Sequence, residues 1–281
     1  MRLASFFHKG RHGYGLVSDE TVRPVTREFA DQHSNLRRAL AAGALGEIGA
    51  NVAEPISLED VSLRPAIPRP GKLIGIGMNY LAHTEELKRK QPEAPSLFVR
   101  FPDSVVGHGQ SLVRPAASEQ HDFEGELAVI IGRTARHVGV ADALDHVAGY
   151  SCFLDGSIRD WQYRTSQFTA GKNFFHSGAF GPWLVTADEI ADPQALRLET
   201  RVSGEVMQQG NTRDMCFGIA ELISFLSTIF PLEPGDVIAT GTPSGVGAAR
   251  EPQRWLRPGD VVEVEIEGIG ALRNEVVAER G

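Results

Sequence analysis

With 281 residues, 42% of them hydrophobic and 23% charged, the chain has the make-up of a soluble globular protein with one main domain and a small appendage. Its net charge of −8 is offset by no run of Lys and Arg, which argues against nucleic acid and anionic membrane as partners. An anionic substrate would need positive charge supplied locally by its site.

The opening stretch, Met1 to His8, is too short an apolar run for a signal peptide, and no run approaches the roughly 20 apolar residues of a membrane helix. Residues 1 to about 28 read as a small β-meander: Phe6-Phe7, Gly13 to Val17 and Thr21 to Val25, separated by polar turns. Residues 34 to 50 read as helix, with Leu36, Leu40, Leu45 and Ile48 near one face. The Pro-rich stretch from Leu63 to Gly71 marks a boundary, giving a small N-terminal domain over 1–68 and a catalytic domain over 69–281. Leu73 to Gly77 and Leu97 to Phe101 are expected strands on either side of a short charged helix, Tyr80 to Gln91. Val140 to Ala148 contains a helix, Tyr150 to Leu154 is a strand, and Ile219 to Phe230 is a helix stopped by Pro231. Pro234-Gly235-Asp236 and Pro258-Gly259-Asp260 each place a turn directly before a strand. Glu263, Glu265 and Glu267 alternate with apolar residues, as on a half-buried strand with a wet face. No sustained βαβ rhythm appears, so the sheets should be antiparallel or mixed. Cys152 and Cys216 supply neither a disulfide framework nor zinc-ligand spacing, which fits a reducing cytoplasm.

The chemistry concentrates in a few segments. In His121-Asp122-Phe123-Glu124-Gly125-Glu126 two glutamates stand one residue apart where the chain turns apolar, before Leu127 to Ile131. Strand side chains alternate, so Glu124 and Glu126 share a face. Their repulsion and desolvation are relieved by a hard divalent cation such as Mg²⁺, Mn²⁺ or Ca²⁺, or equally by water if this is an edge strand. His83 and Glu86 share a helix face and could form an oriented base, unless Glu86 pairs with Lys90 instead. Asp155 to Gln162 adds a carboxylate, a cation and an amide, and Lys172 follows among aromatics. Gly75-Ile76-Gly77 fails as a dinucleotide loop because Tyr80 stands at the third glycine position. Gly241 to Gly247 fails as a phosphate loop because it lacks the Lys and carries Pro243. No Gly-x-Ser-x-Gly elbow supports a serine nucleophile, and Ser244 reads as a turn residue.

In this order, Ile74 to Tyr80 with His83 and Glu86, Phe123 to Leu127, Asp155 to Gln162, Gly171-Lys172, Gly235 to Ile238 and Thr240 to Gly247 resemble the fumarylacetoacetate hydrolase family over roughly three-quarters of the chain. The resemblance implies an α+β, predominantly β fold, a β-roll of mixed strands with few helices, and a homodimer. It implies a Mg²⁺- or Mn²⁺-type site at Glu124, Glu126 and Asp155, with His83 and Glu86 activating water on a loop that closes over substrate. Lys172 would stabilise developing negative charge, and Arg159, Gln162, Gly241 and Thr242 would contact substrate. The implied reaction is hydrolysis of the C–C bond of an acylpyruvate-like 2-oxo acid to release pyruvate, as in aromatic catabolism. Oxaloacetate decarboxylation and 2-oxo acid tautomerisation or diene dioate isomerisation are alternatives on the same site. The chain departs from the family where Leu154-Asp155-Gly156-Ser157 replaces Asn-Asp-Val-Ser and where Arg100 stands for the frequent Lys, with an expected change in how a distal substrate group is held.

Overall fold

The computed structural model describes residues 1–86, 88, 90 and 92–280. Two sheets carry the molecule. The larger has twelve strands, and its middle runs Arg2–His8, Gly178–Thr186, Val147–Leu154, Gly125–Ile131, Val237–Ala239, Leu73–Gly77. The smaller has five, ordered Glu205–Asn211, Arg197–Val202, Val261–Ile266, Gly270–Ala278, Leu112–Arg114. Most pairs are antiparallel, but Val237–Ala239 runs parallel to Leu73–Gly77, and Gly270–Ala278 parallel to Leu112–Arg114. The fold is α+β and predominantly β, with mixed sheets and short helices, as the sequence implied.

Every residue of Gly125–Ile131 is buried, because this strand is central and has a sheet neighbour on each side. Leu127, Val129 and Ile131 face a core shared with Val262, Val264 and Leu272 of the smaller sheet, while Ala128 and Ile130 face the cluster built by Leu36, Leu40, Ile48 and Phe180. The strand therefore reads as near-continuous apolar sequence without alternation. At Gly125 a Cβ would come 2.0 Å from Thr200 Oγ1, so the two sheets close on each other only if this position is glycine.

The N-terminal meander is present as Arg2–His8, Arg11–Ser18 and Thr21–Pro24, and Arg2–His8 continues the large sheet by pairing with Gly178–Thr186. Residues 34 to 50 are not one helix. An α-helix over Leu36–Ala41, capped by the Asn35 side chain, ends at Gly43 with φ +71°, and a 3₁₀ turn follows over Leu45–Ala50. The segment Val140–His146 is also a 3₁₀ helix, and the strand expected from Tyr150 begins at Val147. Ile219–Ile229 is an α-helix as expected, with Glu221 bonding back to the Gly218 amide. The helix expected over Tyr80 to Gln91 is helical over Leu81–Glu86, and Gln91 lies outside the described residues. Both Pro-Gly-Asp turns are built alike: Gly235 and Gly259 take positive φ, while Asp236 accepts from the Lys72 and Glu233 amides and Asp260 from the Arg257 amide. The wet face at Glu263 and Glu265 is occupied by Arg201, which pairs with both.

Candidate active site

Antiparallel register assembles the carboxylates. Gly125 pairs with Leu154, so Glu124 and Asp155 face each other one step further, where the Asp155 amide donates to the Glu124 carbonyl at 2.8 Å. Glu126 comes onto the same face two residues after Glu124. Carboxylate oxygens of Glu124, Glu126 and Asp155 lie within 4.8 Å of one another, and all three side chains are buried. Because the strand is central, the reading of a solvated acidic edge does not apply.

Three cations answer these carboxylates. Lys172 Nζ stands 2.6 Å from both Glu124 Oε2 and Asp155 Oδ2, with the Phe98 ring 4.8 Å away. Arg159 donates to Glu124 Oε1 at 2.6 Å, to Asp122 Oδ2 at 2.8 Å and to Gln162 Oε1 at 2.9 Å. That engages three of the five N–H groups of a guanidinium. Arg100 is wholly buried and donates to Asp155 Oδ1, the Gly156 carbonyl, Ser104 Oγ, the Ser104 carbonyl and Ser177 Oγ. All five of its donors are therefore engaged by protein. Arg100 positions Asp155, and no donor remains for the distal substrate group expected from its place in the sequence.

The electrostatics follow from this placement. Burial raises the Glu124 carboxyl, but Arg159 and Lys172 outweigh it and hold the group well below the usual carboxylate range. Glu126 is pushed well above that range by burial and then by Asp155 and Glu124, because no ammonium or guanidinium contacts it. Lys172 is held charged: burial opposes the charge, but Asp155 and Glu124 more than offset this. Three buried oxygen donors at this separation, one of them, Glu126, with no cationic partner, suit a divalent cation.

The glycine-rich loop after Val237–Ala239 serves this chain's own carboxylates. Its Gly241 amide donates to Glu126 Oε2 at 2.9 Å, its Gly245 amide to Glu86 Oε1 at 2.8 Å, and its Gly247 amide to Asp122 Oδ1 at 2.7 Å. A row of backbone N–H groups that would cradle a phosphate elsewhere here orients three acidic side chains. Gly241 has φ +97°, and a Cβ there would come 2.7 Å from the Asn79 Cβ. Glu86 is held on its other oxygen by His83 Nδ1 at 3.0 Å. The bonds of Glu86 go to His83 and to Gly245, which answers the alternative pairing with Lys90.

His83, Glu124, Glu126, Arg159, Gln162, Lys172 and Thr242 line one cavity of about 30 Å³, roofed by Met78, Phe98 and Phe168. Met78 has φ +40°, an uncommon conformation for a non-glycine residue, at the turn that carries the chain from Leu73–Gly77 into Leu81–Glu86. Thr242 Oγ1 donates to the Gly125 carbonyl and receives Gln208 Nε2, so its hydroxyl braces the cavity wall. Gly241 contributes its amide to Glu126. The sequence assigned no role to Asp122 or Gln208, and it pointed Arg100 at the substrate's distal group where the structure gives it to Asp155. Asp122 is buried and accepts from Arg159, Phe123, Gly247 and Ala248.

A family model described as fumarylacetoacetate (FAA) hydrolase C-terminal matches residues 72–277. The Homo sapiens protein named oxaloacetate tautomerase FAHD2A, mitochondrial, is 40% identical over 276 residues, covering 95% of this chain and 85% of that one. A fumarylacetoacetate hydrolase from Exiguobacterium antarcticum superposes with a TM-score of 0.87 at 36% identity, over 99% of this chain and 100% of the other. A maleylpyruvate hydrolase from Sphingobium sp. SYK-6, solved in complex with manganese(II) and pyruvate, superposes with a TM-score of 0.83 at 31% identity over the whole of both chains. No described helix is long and apolar enough to cross a membrane.

Proposed function

The chain belongs to the fumarylacetoacetate hydrolase family, and from that premise we propose that it is a divalent-cation-dependent hydrolase cleaving the C–C bond of acylpyruvate-like 2,4-dioxo acids. The observation that carries this reading is the His83–Glu86 pair, fixed at 3.0 Å, with His83 lining the same cavity as Glu124 and Glu126. Hydrolysis needs a base for water, and a His oriented by a carboxylate is such a base. Glu124, Glu126 and Asp155 would hold the cation, Mg²⁺ before Mn²⁺ or Ca²⁺, which when bound supplies Lewis-acid polarisation of a 2-oxo carboxylate.

The chain's own groups then divide the work. Arg159, with two N–H groups still open, and Gln162 bind the substrate's anionic end. His83 takes a proton from water, and the resulting hydroxide bonds to the distal carbonyl carbon. The C–C bond breaks, and its electron pair passes to the methylene carbon of the pyruvate fragment, which leaves as the enolate. Lys172 faces this developing charge. Protonation at carbon completes pyruvate, and the other product is the carboxylic acid of the distal part. The apolar roof of Met78, Phe98 and Phe168 excludes bulk water.

A second reading is keto–enol tautomerisation of oxaloacetate, which moves one proton between the enol oxygen and carbon 3. One observation favours it: the 40% identity to the human protein. Decarboxylation of oxaloacetate and isomerisation of a diene dioate draw on the same groups. Incubation of Mg²⁺-loaded protein with acylpyruvates, fumarylpyruvate and oxaloacetate, following pyruvate, CO₂ and enol absorbance, separates the readings. Pyruvate from an acylpyruvate supports the hydrolase. Rapid loss of the oxaloacetate enol without cleavage of any acylpyruvate replaces it with the tautomerase. Full activity after exhaustive chelation overturns the cation dependence of either. We further propose a homodimer working in the cytoplasm on small 2-oxo acids of aromatic catabolism. Its chemistry is assigned to residues 69–281, and residues 1–68 form a non-catalytic N-terminal unit.

A further inference from the structure

A second cavity, of about 710 Å³, opens where the N-terminal strands meet the Pro-rich stretch, and it shares no lining residue with the catalytic cavity. Its walls carry Arg37 and Arg38 from the short helix Leu36–Ala41, and Arg64 and Arg69 from the Pro-rich stretch. The buried arginines of the catalytic site are ion-paired, Arg100 with Asp155 and Arg159 with Asp122 and Glu124. Among the described residues Arg37, Arg38, Arg64 and Arg69 form no ion pair. Arg37 donates to the Arg69 carbonyl at 3.3 Å, Arg64 to His12 Nδ1 at 2.6 Å, and the Arg38 and Arg69 guanidiniums have no bond to the protein. The one carboxylate on the wall, Glu233, accepts from Thr134 Oγ1.

Four like charges converging on one cavity repel one another, and in a chain of net charge −8 the arrangement is not a by-product of excess base. Guanidinium forks match phosphate and carboxylate oxygens, and an oxyanion between them would relieve the repulsion and satisfy the open donors. The floor is apolar: Tyr14 and Ile67 are buried, and the Tyr14 hydroxyl is already bonded to the His33 carbonyl, so it presents ring surface. The volume falls in the roughly 300–1,000 Å³ range of small-molecule sites.

We propose that this cavity is a binding site for a small organic polyanion, bearing phosphate or carboxylate groups, that is separate from the catalytic centre. Titration calorimetry with ATP, pyrophosphate and citrate tests it on the full-length protein. Tighter binding of ATP or pyrophosphate assigns the site to phosphates, and tighter binding of citrate assigns it to carboxylates. Arg38→Gln combined with Arg69→Gln should weaken binding by about tenfold for each guanidinium removed, with the circular dichroism spectrum and catalytic turnover unchanged. These two side chains hold nothing in the fold, and Arg64→Gln serves as an independent second variant with the same expected loss. Absence of binding by all three probes at millimolar concentration, or equal affinity in wild type and both variants, overturns the proposal.

Discussion

Arg100 shows how one side chain can matter to a reaction it does not touch. Its five donors are distributed over Asp155, Gly156, Ser104 and Ser177, so the Asp155 carboxylate is aimed before any cation arrives. A lysine keeps the charge but replaces the rigid fork with three donors on one nitrogen, leaving buried acceptors unpaired. Arg100→Lys should lower cation affinity by about tenfold and stability by about 2 kcal/mol. Calorimetric Mg²⁺ titration and urea unfolding would show this. Unchanged affinity would mean that Asp155 is held by the strand alone. Glu126→Ala, by contrast, should remove activity and most cation affinity with the fold largely kept, read by the same titration and by circular dichroism. His83→Ala should cost acylpyruvate cleavage about 10²–10⁴-fold and oxaloacetate decarboxylation far less, since loss of CO₂ needs no activated water. Equal losses in parallel assays would make His83 a proton donor or a loop clasp. Glu124 and Glu126 were legible because period two is a property of any strand. Asp122 was not, because the amides that fix it come from Gly247 and Ala248, 125 and 126 positions away. No local pattern carries that information.

At the scale of elements, the loop from Gly241 to Gly247 was recognisable as special and misleading about why. Its glycines resemble those of phosphate loops because both present backbone N–H groups to oxyanions, and only the three-dimensional partners reveal that the oxyanions are Glu126, Glu86 and Asp122. Gly241→Ala tests that role. The φ of +97° and the 2.7 Å approach to Asn79 predict a cost of about 1–3 kcal/mol and a displaced amide. The displacement should show as weaker cation binding through Glu126, a readout that a purely structural role would leave alone. Helices were less legible than strands for a physical reason. The 34–50 segment has helical periodicity, but Gly43 takes φ +71° and ends the first helix, so two short pieces carry Leu36, Leu40 and Ile48 into one cluster. The run Val140–His146 tightens to 3₁₀ before feeding the strand Val147–Leu154.

The two large sheets share one apolar cluster, the larger covers a second on its other face, and the carboxylates stand where its central strand Gly125–Ile131 begins. A homodimer predicts a sedimentation mass of about twice the 30.5 kDa chain at micromolar concentration, and a mass near one chain would disprove it. Its acid stability has an identifiable contributor in His121, which is fully buried beside the site in the short strand His121–Asp122. The Nε2 proton is donated to the Ser177 carbonyl at 2.9 Å, while Nδ1 has no partner. Burial, and after it Arg100 and Arg114, lower its pKa from 6.5 to about 4 against that hydrogen bond. The folded state thus keeps His121 neutral where the unfolded chain takes up a proton. Stability from this group is fully present above about pH 6.5 and is lost as pH falls from there through about 4, by on the order of 3 kcal/mol. His121→Gln retains a donor for Ser177 but cannot titrate. Its unfolding free energy should be lower than wild type at pH 7, yet fall less between pH 7 and pH 4, by on the order of 3 kcal/mol. Urea unfolding of both proteins at the two pH values measures the difference. An identical acid loss in the variant would assign the sensitivity to carboxylates elsewhere and remove His121 from the account.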